Sequence, residues 1–254
     1  MLVTVFASGS KGNITLIQIG DKKILIDLGV TYKYLCESLS YYQIDPKDIT
    51  HVLITHAHKD HTSSLKTFIK NNNPIIYITP DALSAIEYLN DYNNLSFEDK
   101  EFKLDDNITI KTINTSHDAK GSRGYIISAD NHDLVYITDT GYINQKNLSL
   151  ISNKELYIFE SNHNTEMLMH GKYPNWLKQR VVSDVGHLSN EQAAYYLSKI
   201  IGDRTKKVIL AHLSEENNTP DIALDTVINT FINEEIKFNN VICAKQYDRL
   251  ETLL

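Results

Sequence analysis

Cysteines and long hydrophobic runs are both scarce in this sequence. Two cysteines among 254 residues exclude a disulfide framework, a cysteine-based zinc module and a CxxC redox pair. No segment approaches the roughly 18–20 continuous apolar residues that a membrane-spanning helix needs. No basic residues precede the first apolar stretch, as they would in a secretory signal. We therefore expect a cytoplasmic protein with no membrane segment.

No Pro/Gly/Ser-rich linker or low-complexity tract interrupts the chain, so we predict a single domain over residues 1–254. Apolar residues make up 42% and charged residues 22%, as in ordinary globular proteins, which excludes a mainly disordered or collagen-like chain. The 25 basic residues against 32 acidic ones give a net charge of −7. At first sight this charge disfavours nucleic acid as a partner, because phosphate backbones usually meet basic surfaces.

Short apolar runs rich in β-branched and aromatic residues alternate with helical patterns. The predicted strands are Val3–Ala7, Ile14–Ile19, Lys23–Asp27, Val52–Thr55, Ile75–Ile78, Ile108–Asn114, Tyr125–Ala129, Leu134–Thr138, Leu156–Phe159 and Val208–Ala211. The predicted helices are Tyr32–Tyr41, Ser63–Lys70, Pro80–Leu89, Tyr173–Val182, Asn190–Ile201 and Pro220–Asn233. Hairpin turns are expected at Gly20-Asp21 and Asn131-His132. This mixture favours an α+β fold of two sheets flanked by helices over a doubly wound parallel sheet.

Residues 56–61, His-Ala-His-Lys-Asp-His, carry four potential metal ligands directly after a predicted strand. In an extended segment, residues two apart point the same way, so His56 and His58 are expected to share one ion. If the chain then turns into a helix, Asp60 and His61 face a second ion a few ångströms away. Imidazole and carboxylate groups are the ligands that borderline divalent metals choose.

Three further residues of ligand type each follow an apolar strand, and they complete a set for two divalent ions. Zinc, manganese and iron all accept such ligands. The predicted sets are His56, His58 and His117 for one ion and Asp60, His61 and His212 for the other, with Asp139 as the bridging carboxylate.

These motifs, with Asp27 at the end of its strand, resemble the five motifs of the metallo-β-lactamase superfamily over nearly the whole chain. The resemblance implies a four-layer αββα sandwich of two mixed sheets, with the metals at one edge between the two halves. It also implies that Asp27 contacts the metal-binding loop and holds it in place, since residues that contact metal ligands in this way orient them.

Four more segments resemble the YycJ/WalJ-like branch of that superfamily. They are residues 7–13 (ASGSKGN), 160–163 (ESNH), 183–190 (SDVGHLSN) and 211–220 (AHLSEENNTP). This resemblance implies a 5′-to-3′ exonuclease on double-stranded DNA. Two of the segments are also similar to tRNA 3′-processing endonucleases of the RNase Z type. The sequence has no Gly/Pro-rich tRNA-gripping insertion and no Arg-Tyr pair soon after His212, which argues against tRNA processing.

In the RNase Z type, a Gly-His before a helix and an acidic residue after the bridging aspartate act as a proton relay. By position, these are His187 and Glu160 in this sequence. An imidazole, with a pKa of about 6.5, is a natural proton donor to a leaving oxygen. The predicted catalytic residues are therefore Asp60, Glu160 and His187, and the candidate substrate-binding residues are Ser10, Asn13 and His163.

We predict a dinuclear metal-dependent phosphodiesterase that uses a metal-bridging hydroxide, with DNA favoured over RNA as the substrate. A different hydrolase on the same site, acting on a small thioester, lactone or β-lactam, would instead need an apolar pocket. A non-catalytic metal-dependent regulator is the third alternative, and it would tolerate the loss of a ligand. The sequence leaves the oligomeric state open.

Acidic residues are concentrated in two segments, so the net charge is an average over regions of opposite sign. Residues 81–107 carry eight acidic and two basic residues, and residues 213–254 carry eight and three. The rest of the chain, which holds every predicted ligand, carries 20 basic and 16 acidic residues. Bound cations would add to this positive balance. The sequence therefore allows a polyanionic substrate on one face, with affinity that falls as salt rises.

Overall fold

The computed structural model describes residues 1–97 and 100–254 and contains two sheets of seven strands each. The first sheet contains β1 (Leu2–Ala7), β2 (Ile14–Ile19), β3 (Lys22–Ile26), β4 (His51–Leu53), β5 (Ile75–Ile78) and β6 (Leu95–Phe97). The second contains β7 (Glu101–Lys103), β8 (Ile108–Asn114), β9 (Arg123–Ala129), β10 (His132–Ile137), β11 (Leu156–Glu160), β12 (Lys207–Ala211) and β13 (Val241–Cys243), and β14 (Leu250–Leu253) returns to the first. The spatial orders are β14-β1-β2-β3-β4-β5-β6 and β13-β12-β11-β10-β9-β8-β7.

Both sheets are mixed, as predicted. Strands joined by hairpins pair antiparallel, as β1, β2 and β3 do, whereas β3 to β6 and β10 to β13 pair parallel through crossover connections. The helices are α1 (Tyr32–Tyr41), α2 (Lys59–Thr62), α3 (Leu65–Asn71), α4 (Pro80–Leu83), α5 (Gln145–Ile151), α6 (Thr165–His170), α7 (Asn175–Val181), α8 (Asn190–Ile200) and α9 (Pro220–Asn233). No helix within the described ranges is both long enough and apolar enough to cross a membrane.

The alternation of side chains along each strand builds three apolar layers. In β3, Ile24 faces the core between the two sheets, where it joins Tyr125 and Ile158 of the second sheet. Its neighbour Leu25 faces the opposite way and packs with residues of α1 and α3. Residues of α8 and α9 cover the outer face of the second sheet in the same manner. Apolar side chains thus point from both faces of each sheet. The inner faces pack against each other and helices cover the outer faces, which is the predicted αββα arrangement.

One of the two predicted hairpin turns is wrong by a residue. The turn at Gly20-Asp21 joins β2 to β3 as predicted, with Ile19 paired to Lys22. The second turn lies at Asp130-Asn131, and His132 is the first residue of β10. Asp130 and Asn131 have φ values of 50° and 66°, which a type I′ turn requires at both central positions.

Several predicted helices have different bounds. The helix predicted over Ser63–Lys70 begins two residues later, as α3, and the short helix α2 precedes the predicted range. The Ser64 hydroxyl between the two helices donates to the Leu28 carbonyl. The helix predicted over Pro80–Leu89 ends at Leu83, where Ser84 Oγ donates back to Asp81 O at 2.6 Å and competes with the helical pattern. The predicted Tyr173–Val182 helix begins at Asn175, because Pro174 disfavours helical backbone in the residue before it. Among the helices and strands named above, those not predicted are α2, α5, α6, β6, β7, β13 and β14.

The fold brings the predicted site residues to one edge of the molecule. Asp27 follows β3, and the segment 54–61 follows β4, which is parallel to β3. In the second sheet, Asp139 and His212 follow β10 and β12, which both run parallel to β11. Since the carboxyl ends of parallel strands meet at the same sheet edge, residues far apart in sequence converge there.

Candidate metal centre

The structure brings all seven predicted metal ligands together. Four groups of ligand atoms can be drawn in this cluster, each with its atoms within 4.8 Å of one another. One group is His56, His58 and His117, and another is Asp60, His61 and His212. These groups are the same two sets that the spacing of the motifs predicted, and they lie side by side at the edge between the sheets.

Asp139 lies between the two groups. Its Oδ2 is 3.3 Å from Nε2 of His61, and its Oδ1 is 3.6 Å from Nε2 of His212 and 3.8 Å from Nε2 of His117. Asp60 Oδ2 lies 3.6 Å from His61 Nε2 and 3.7 Å from His212 Nε2. The Asp139 carboxylate thus reaches histidines of both groups, which is the geometry of a bridging ligand.

Each histidine of the cluster has its outward ring nitrogen beside an acceptor, which leaves the other nitrogen facing inward. His61 Nδ1 donates to Asp27 Oδ2 at 2.7 Å, and His212 Nδ1 donates to Glu160 Oε1 at 3.0 Å. His117 Nδ1 lies 3.2 Å from the Gly186 carbonyl, and His56 Nδ1 lies 3.0 Å from Thr55 Oγ1. Such partners fix the tautomer and ring orientation of metal-binding histidines.

In His58 the roles of the two ring nitrogens are reversed, because Nδ1 faces the cluster and Nε2 faces outward. Its Nδ1 lies 3.2 Å from His117 Nε2, and its Nε2 lies 3.5 Å from Asp118 Oδ1. Asp118 is held in turn by Arg180, whose Nε donates to Asp118 Oδ2 at 2.6 Å. The carboxylate of Asp118 therefore supports the outer edge of His58 from the rim of the site.

Three of the site residues adopt left-handed backbone conformations within two residues of the ends of their strands. Asp27, Asp139 and His212 have φ values of 60°, 56° and 55°. Outside glycine this region is sparsely populated and costs of order 1 kcal/mol or more, although Asp and His visit it more readily than most residues. The turn redirects each side chain from the sheet towards the cluster, and the fold stabilises it with buried hydrogen bonds.

Buried polar atoms in the cluster lack hydrogen-bond partners among the described residues. These atoms are His56 Nε2, Asp139 Oδ2 and His212 Nε2. Leaving such atoms unpaired is costly, and native proteins satisfy nearly all of them. Because all three belong to ligand-type side chains that converge, the residues fit divalent metal ions.

Burial and charge shift the pKa values of the cluster in opposite directions. Burial alone lowers the pKa of His212, but Asp139, Asp60 and Glu160 around it raise it to about 10. Burial alone raises the pKa of Asp139, yet the charges of His212 and His61 hold it well below its usual range. The Asp139 carboxylate is thus ionised at neutral pH and is balanced by the proton that His212 carries, and a divalent cation bound there would take the place of that proton.

The cavity over the cluster has a volume of about 200 Å³. Of the predicted substrate-binding residues, only Ser10 lines it. Asn13 is buried and instead braces the loop, since its side chain pairs with the Gly9 backbone and lies 3.1 Å from His61 Nε2. His163 is 1% exposed and burial lowers its pKa to about 4. The structure does not bring Asn13 or His163 into the cavity.

The other two predicted catalytic residues, His187 and Glu160, lie at different depths in the site. His187 lines the cavity, and its Nδ1 donates to Glu160 Oε1 at 2.8 Å. Glu160 is fully buried behind His187 and His212, and its Oε2 accepts from the backbone N–H groups of Thr140 and Leu188. Burial alone raises the pKa of Glu160, but His187 and His212 lower it to about 2. Glu160 therefore holds both rings without itself reaching the cavity.

Sequence reasoning missed four residues that shape the site. Ser8 Oγ accepts from the His212 N–H at 2.8 Å, and Asn162 Nδ2 donates to the His212 carbonyl at 2.8 Å. Asp118 and Arg180 form the ion pair at the rim. Asp118 is adjacent to His117, and this adjacency was the one available signal. Nothing local in the sequence marks Arg180, because it reaches the site only through the packing of α7.

Comparisons with known proteins agree with this geometry. The chain is 35% identical over 232 residues to the exodeoxyribonuclease WalJ of Streptococcus pneumoniae serotype 2 (strain D39 / NCTC 7466), covering 89% of this chain and 86% of the relative. It is 34% identical over 226 residues to the exodeoxyribonuclease YycJ of Bacillus anthracis, covering 87% and 85%. The crystal structure of the metallo-β-lactamase fold protein YhfI from Bacillus subtilis matches with a TM-score of 0.72 over 98% of both chains at 18% identity, which shows a shared fold.

Residues 22–213 match the β-lactamase superfamily domain, and this range includes all seven candidate ligands. The family predicted from the motifs is thereby confirmed, as is the similarity to the YycJ/WalJ-like branch. This chain belongs to the β-lactamase superfamily.

Proposed function

We propose that this chain is a metal-dependent nuclease that shortens DNA from its ends by hydrolysing phosphodiester bonds. The observation that carries the proposal is the small, polar cavity directly above the metal-ligand cluster. Its lining includes Ser10, Asn162, Arg180 and His187 beside the ligand side chains. The similarity to relatives named exodeoxyribonucleases, over most of both chains, supports the same activity.

The cavity argues against a small apolar substrate. Pockets for small molecules typically enclose about 300–1,000 Å³ and are lined mainly by apolar side chains. This cavity is smaller, and its apolar lining is limited to Tyr173, Leu177 and Val181 on one side. A polymer needs only its reacting phosphate inside, because the rest of the chain remains on the surface. The alternative of a thioester, lactone or β-lactam hydrolase therefore fits the lining less well.

We further propose that the site holds two divalent ions, with zinc, manganese and iron as the candidates. His56, His58 and His117 would hold one ion, Asp60, His61 and His212 the other, and Asp139 both. When bound, such ions polarise phosphoryl oxygens and make coordinated water acidic near neutral pH. Because the complete ligand set is present and converges, a non-catalytic role, which would tolerate the loss of a ligand, receives no support.

In this proposal, His187 donates the proton that the leaving oxygen needs. Its Nδ1 is fixed by Glu160, so its Nε2 is directed away from that carboxylate and is free to act as the donor. Glu160 is ionised and buried, and it stabilises the positive charge of the ring before the proton leaves. Glu160 therefore acts as a positioning residue, although the motif comparison proposed it as part of the relay.

The polarity and form of the substrate also belong to the proposal. We propose double-stranded DNA degraded 5′-to-3′, in keeping with the resemblance of residues 7–13 and 183–190 to the YycJ/WalJ-like branch. We also propose that residues 1–254 act as one domain, because both sheets contribute ligands to one cluster and share one apolar core.

The function is tested by incubating metal-loaded protein with linear duplex DNA, closed circular duplex, single strands, RNA, and a panel of lactones and thioesters. We expect nucleotides to be released from linear duplex DNA and the circle to remain intact. Turnover of a small ester without any cleavage of polynucleotide would overturn the proposal. Asp139→Asn serves as the matched inactive protein, because it keeps the side-chain volume and removes the bridging charge.

The polarity is tested with duplexes whose terminal linkages are phosphorothioates at either the two 5′ ends or the two 3′ ends. These linkages resist hydrolysis at the end where they are placed. A 5′-to-3′ enzyme stalls on the first duplex and degrades the second. The reverse pattern would contradict the proposed polarity while leaving the nuclease activity in place.

A further inference from the structure

One wall of the cavity is formed by α7 and the two residues before it. Tyr173, Leu177, Arg180 and Val181 line the cavity from this side. The wall is tied to the proposed proton donor, because the His187 N–H donates to the Val181 carbonyl at 2.9 Å. It is also tied to α6, since Lys178 Nζ donates to the Met169 carbonyl at 2.7 Å. These bonds hold α7 against the catalytic loop.

Arg180 presents free donors at this wall. Its Nε is used by Asp118, and its side chain remains 47% exposed. Its two terminal nitrogens have no hydrogen-bond partner among residues 1–97 and 100–254. Fixing Nε orients the guanidinium plane, which reduces the entropy lost when the other nitrogens bind a ligand. An oriented guanidinium fork matches the geometry of a phosphate group.

Trp176 lies one helical turn before Arg180 on the same side of α7. Residues four apart in a helix are surface neighbours. The Trp176 side chain is 69% exposed, the highest value among the large hydrophobic residues of this wall. Trp176 is therefore a surface neighbour of Arg180, which lines the cavity, and an exposed aromatic ring in that position can stack on a planar group.

The surrounding charge favours an anionic partner for Trp176 and Arg180. Residues 171–183 contain three basic residues and no acidic one, although the whole chain carries a net charge of −7. Base stacking on aromatic side chains and backbone contacts from basic residues are the two elements of nucleic-acid strand binding. Both are present on α7, next to the cavity.

We propose that Trp176 stacks on the terminal base of a DNA end while Arg180 binds the phosphate beside the one being cleaved. This inference rests on the nuclease function proposed above. Inside a duplex, both faces of every base are covered by neighbouring bases. An end leaves one face open, so a stacking ring one helical turn from Arg180 selects ends over continuous duplex. The wall formed by α7 therefore makes the nuclease specific for DNA ends.

The sequence contains a single tryptophan, so the fluorescence of Trp176 reports directly on this contact. Metal-loaded wild-type protein is titrated with a linear duplex ending in phosphorothioate linkages and, separately, with a relaxed closed circle of the same sequence. Stacking of a base on the indole ring quenches its emission. We expect strong quenching by the linear duplex and little by the circle. Equal quenching by both, or none by either, would overturn the inference.

Variants test the same contact by binding and by kinetics. Trp176→Ala should raise the Kd for linear duplex by at least about fivefold, and Trp176→Phe should recover most of the loss because it can still stack. The increase should appear in KM more than in kcat. Tyr195→Ala is the matched control, since Tyr195 is 53% exposed on α8 and does not line the cavity. Wild-type binding by Trp176→Ala would overturn the stacking role.

Arg180→Ala should lower the slope of log Kd against log salt concentration by roughly 0.7 to 0.9, as expected for one lost phosphate contact. Arg204→Ala is its control, because Arg204 is 46% exposed and pairs with Asp133 at the opposite end of the strands. An unchanged salt slope would remove Arg180 from the phosphate contact. Unchanged metal content and a cooperative thermal transition show that each variant is folded.

These experiments separate the failure of this inference from the failure of the proposed function. If wild-type protein degrades linear DNA but Trp176→Ala and Arg180→Ala match it in Kd and KM, the nuclease function stands and the inference is wrong. If wild-type protein leaves all DNA intact, the proposed function fails, and the inference fails with it.

Discussion

At the scale of single residues, the orientation of each imidazole ring is decided by the partner of its outer nitrogen. Asp27 holds His61, and Glu160 holds both His187 and His212 through one carboxylate oxygen. A carboxylate partner of this kind also strengthens a metal-binding imidazole as a ligand, which applies to His61 and His212. Two buried acids thus set the direction of three histidines.

Asp139 is the proposed bridge between the two candidate ligand groups. We expect Asp139→Ala to lose metal affinity by more than the roughly 10- to 100-fold that loss of an outer partner costs, and to lose nuclease activity with it. Elemental analysis of the purified variant measures the metal directly. Retention of two metal equivalents would contradict the bridging assignment.

The control for this variant is Asp130→Ala. Asp130 has a φ of 50°, close to the 56° of Asp139, but it lies in the hairpin between β9 and β10. Replacing it carries a similar backbone cost without touching the cluster. The metal content and activity of Asp130→Ala should match those of wild type. A loss of metal or activity shared by Asp130→Ala and Asp139→Ala would come from backbone strain and not from the lost carboxylate.

His187 is expected to matter for proton transfer and not for metal binding. His187→Ala should slow single-turnover cleavage of DNA by about 10²–10⁴-fold, which is the usual contribution of a general acid. A phosphodiester with a p-nitrophenyl leaving group needs no such proton, so its cleavage should be slowed far less. Equal slowing of both substrates, or no slowing of DNA cleavage, would remove the acid role.

The candidate ligands were easier to predict from the sequence than the residues that contact them, for a physical reason. The candidate ligands form a compact motif or follow apolar strands, so their local pattern is visible. Glu160 and Asp27 could be proposed only through the resemblance to a family. The Gly186 carbonyl beside His117 could not be proposed at all, because a backbone carbonyl carries no side-chain signature.

At the scale of elements, the site residues lie where strands end and helices begin. The cluster requires that β3, β4, β10 and β12 finish at the same edge, and their parallel pairing to neighbours achieves this. These strands were predictable because each lies within or beside an apolar run rich in β-branched residues, as β4 does with the run that continues to Thr55. The short edge strands β6, β7, β13 and β14 contain three or four residues each and were not predicted, since so few positions show no reliable alternation.

The start of α8 positions the proposed proton donor. Ser189 Oγ accepts from the Gln192 N–H, and Gln192 Oε1 accepts from the Ser189 N–H, which forms a capping box two residues after His187. Ser189→Ala should lower the free energy of unfolding by about 1 kcal/mol. It should also lower kcat while leaving the metal content unchanged, because the loop that holds His187 loses its anchor.

Asn144→Ala is the control for the cap. Asn144 caps α5 through the same kind of bond, accepting from the Asn147 N–H at 2.9 Å, and it does not line the cavity. We expect a similar loss of stability from denaturant unfolding, with kcat as in wild type. If both variants lose kcat equally, the effect of Ser189→Ala comes from general destabilisation and not from the position of His187.

At the scale of the whole molecule, the candidate metal centre joins the two halves of the sandwich. Asp27 and the segment 56–61 come from the first sheet, whereas His117, Asp139 and His212 come from the second. Apolar contacts between the sheets provide a second link, through the core that contains Val5, Tyr125 and Ile158. Ions bound to both sets of ligands would therefore act as a cross-link between the sheets.

This linkage predicts that metal stabilises the entire fold and not only the site. A ligand present at 100 times its Kd stabilises the native state by about 2.7 kcal/mol, which for a chain of this size raises Tm by roughly 5 to 10 °C. Removing the metal with a chelator should lower Tm by that amount while the transition remains single, because both sheets lose the same link. Asp139→Ala, measured with and without chelator, should show no such shift. Two separate transitions after metal removal would instead mean that one sheet unfolds independently, and that the apolar core is not enough to couple the halves.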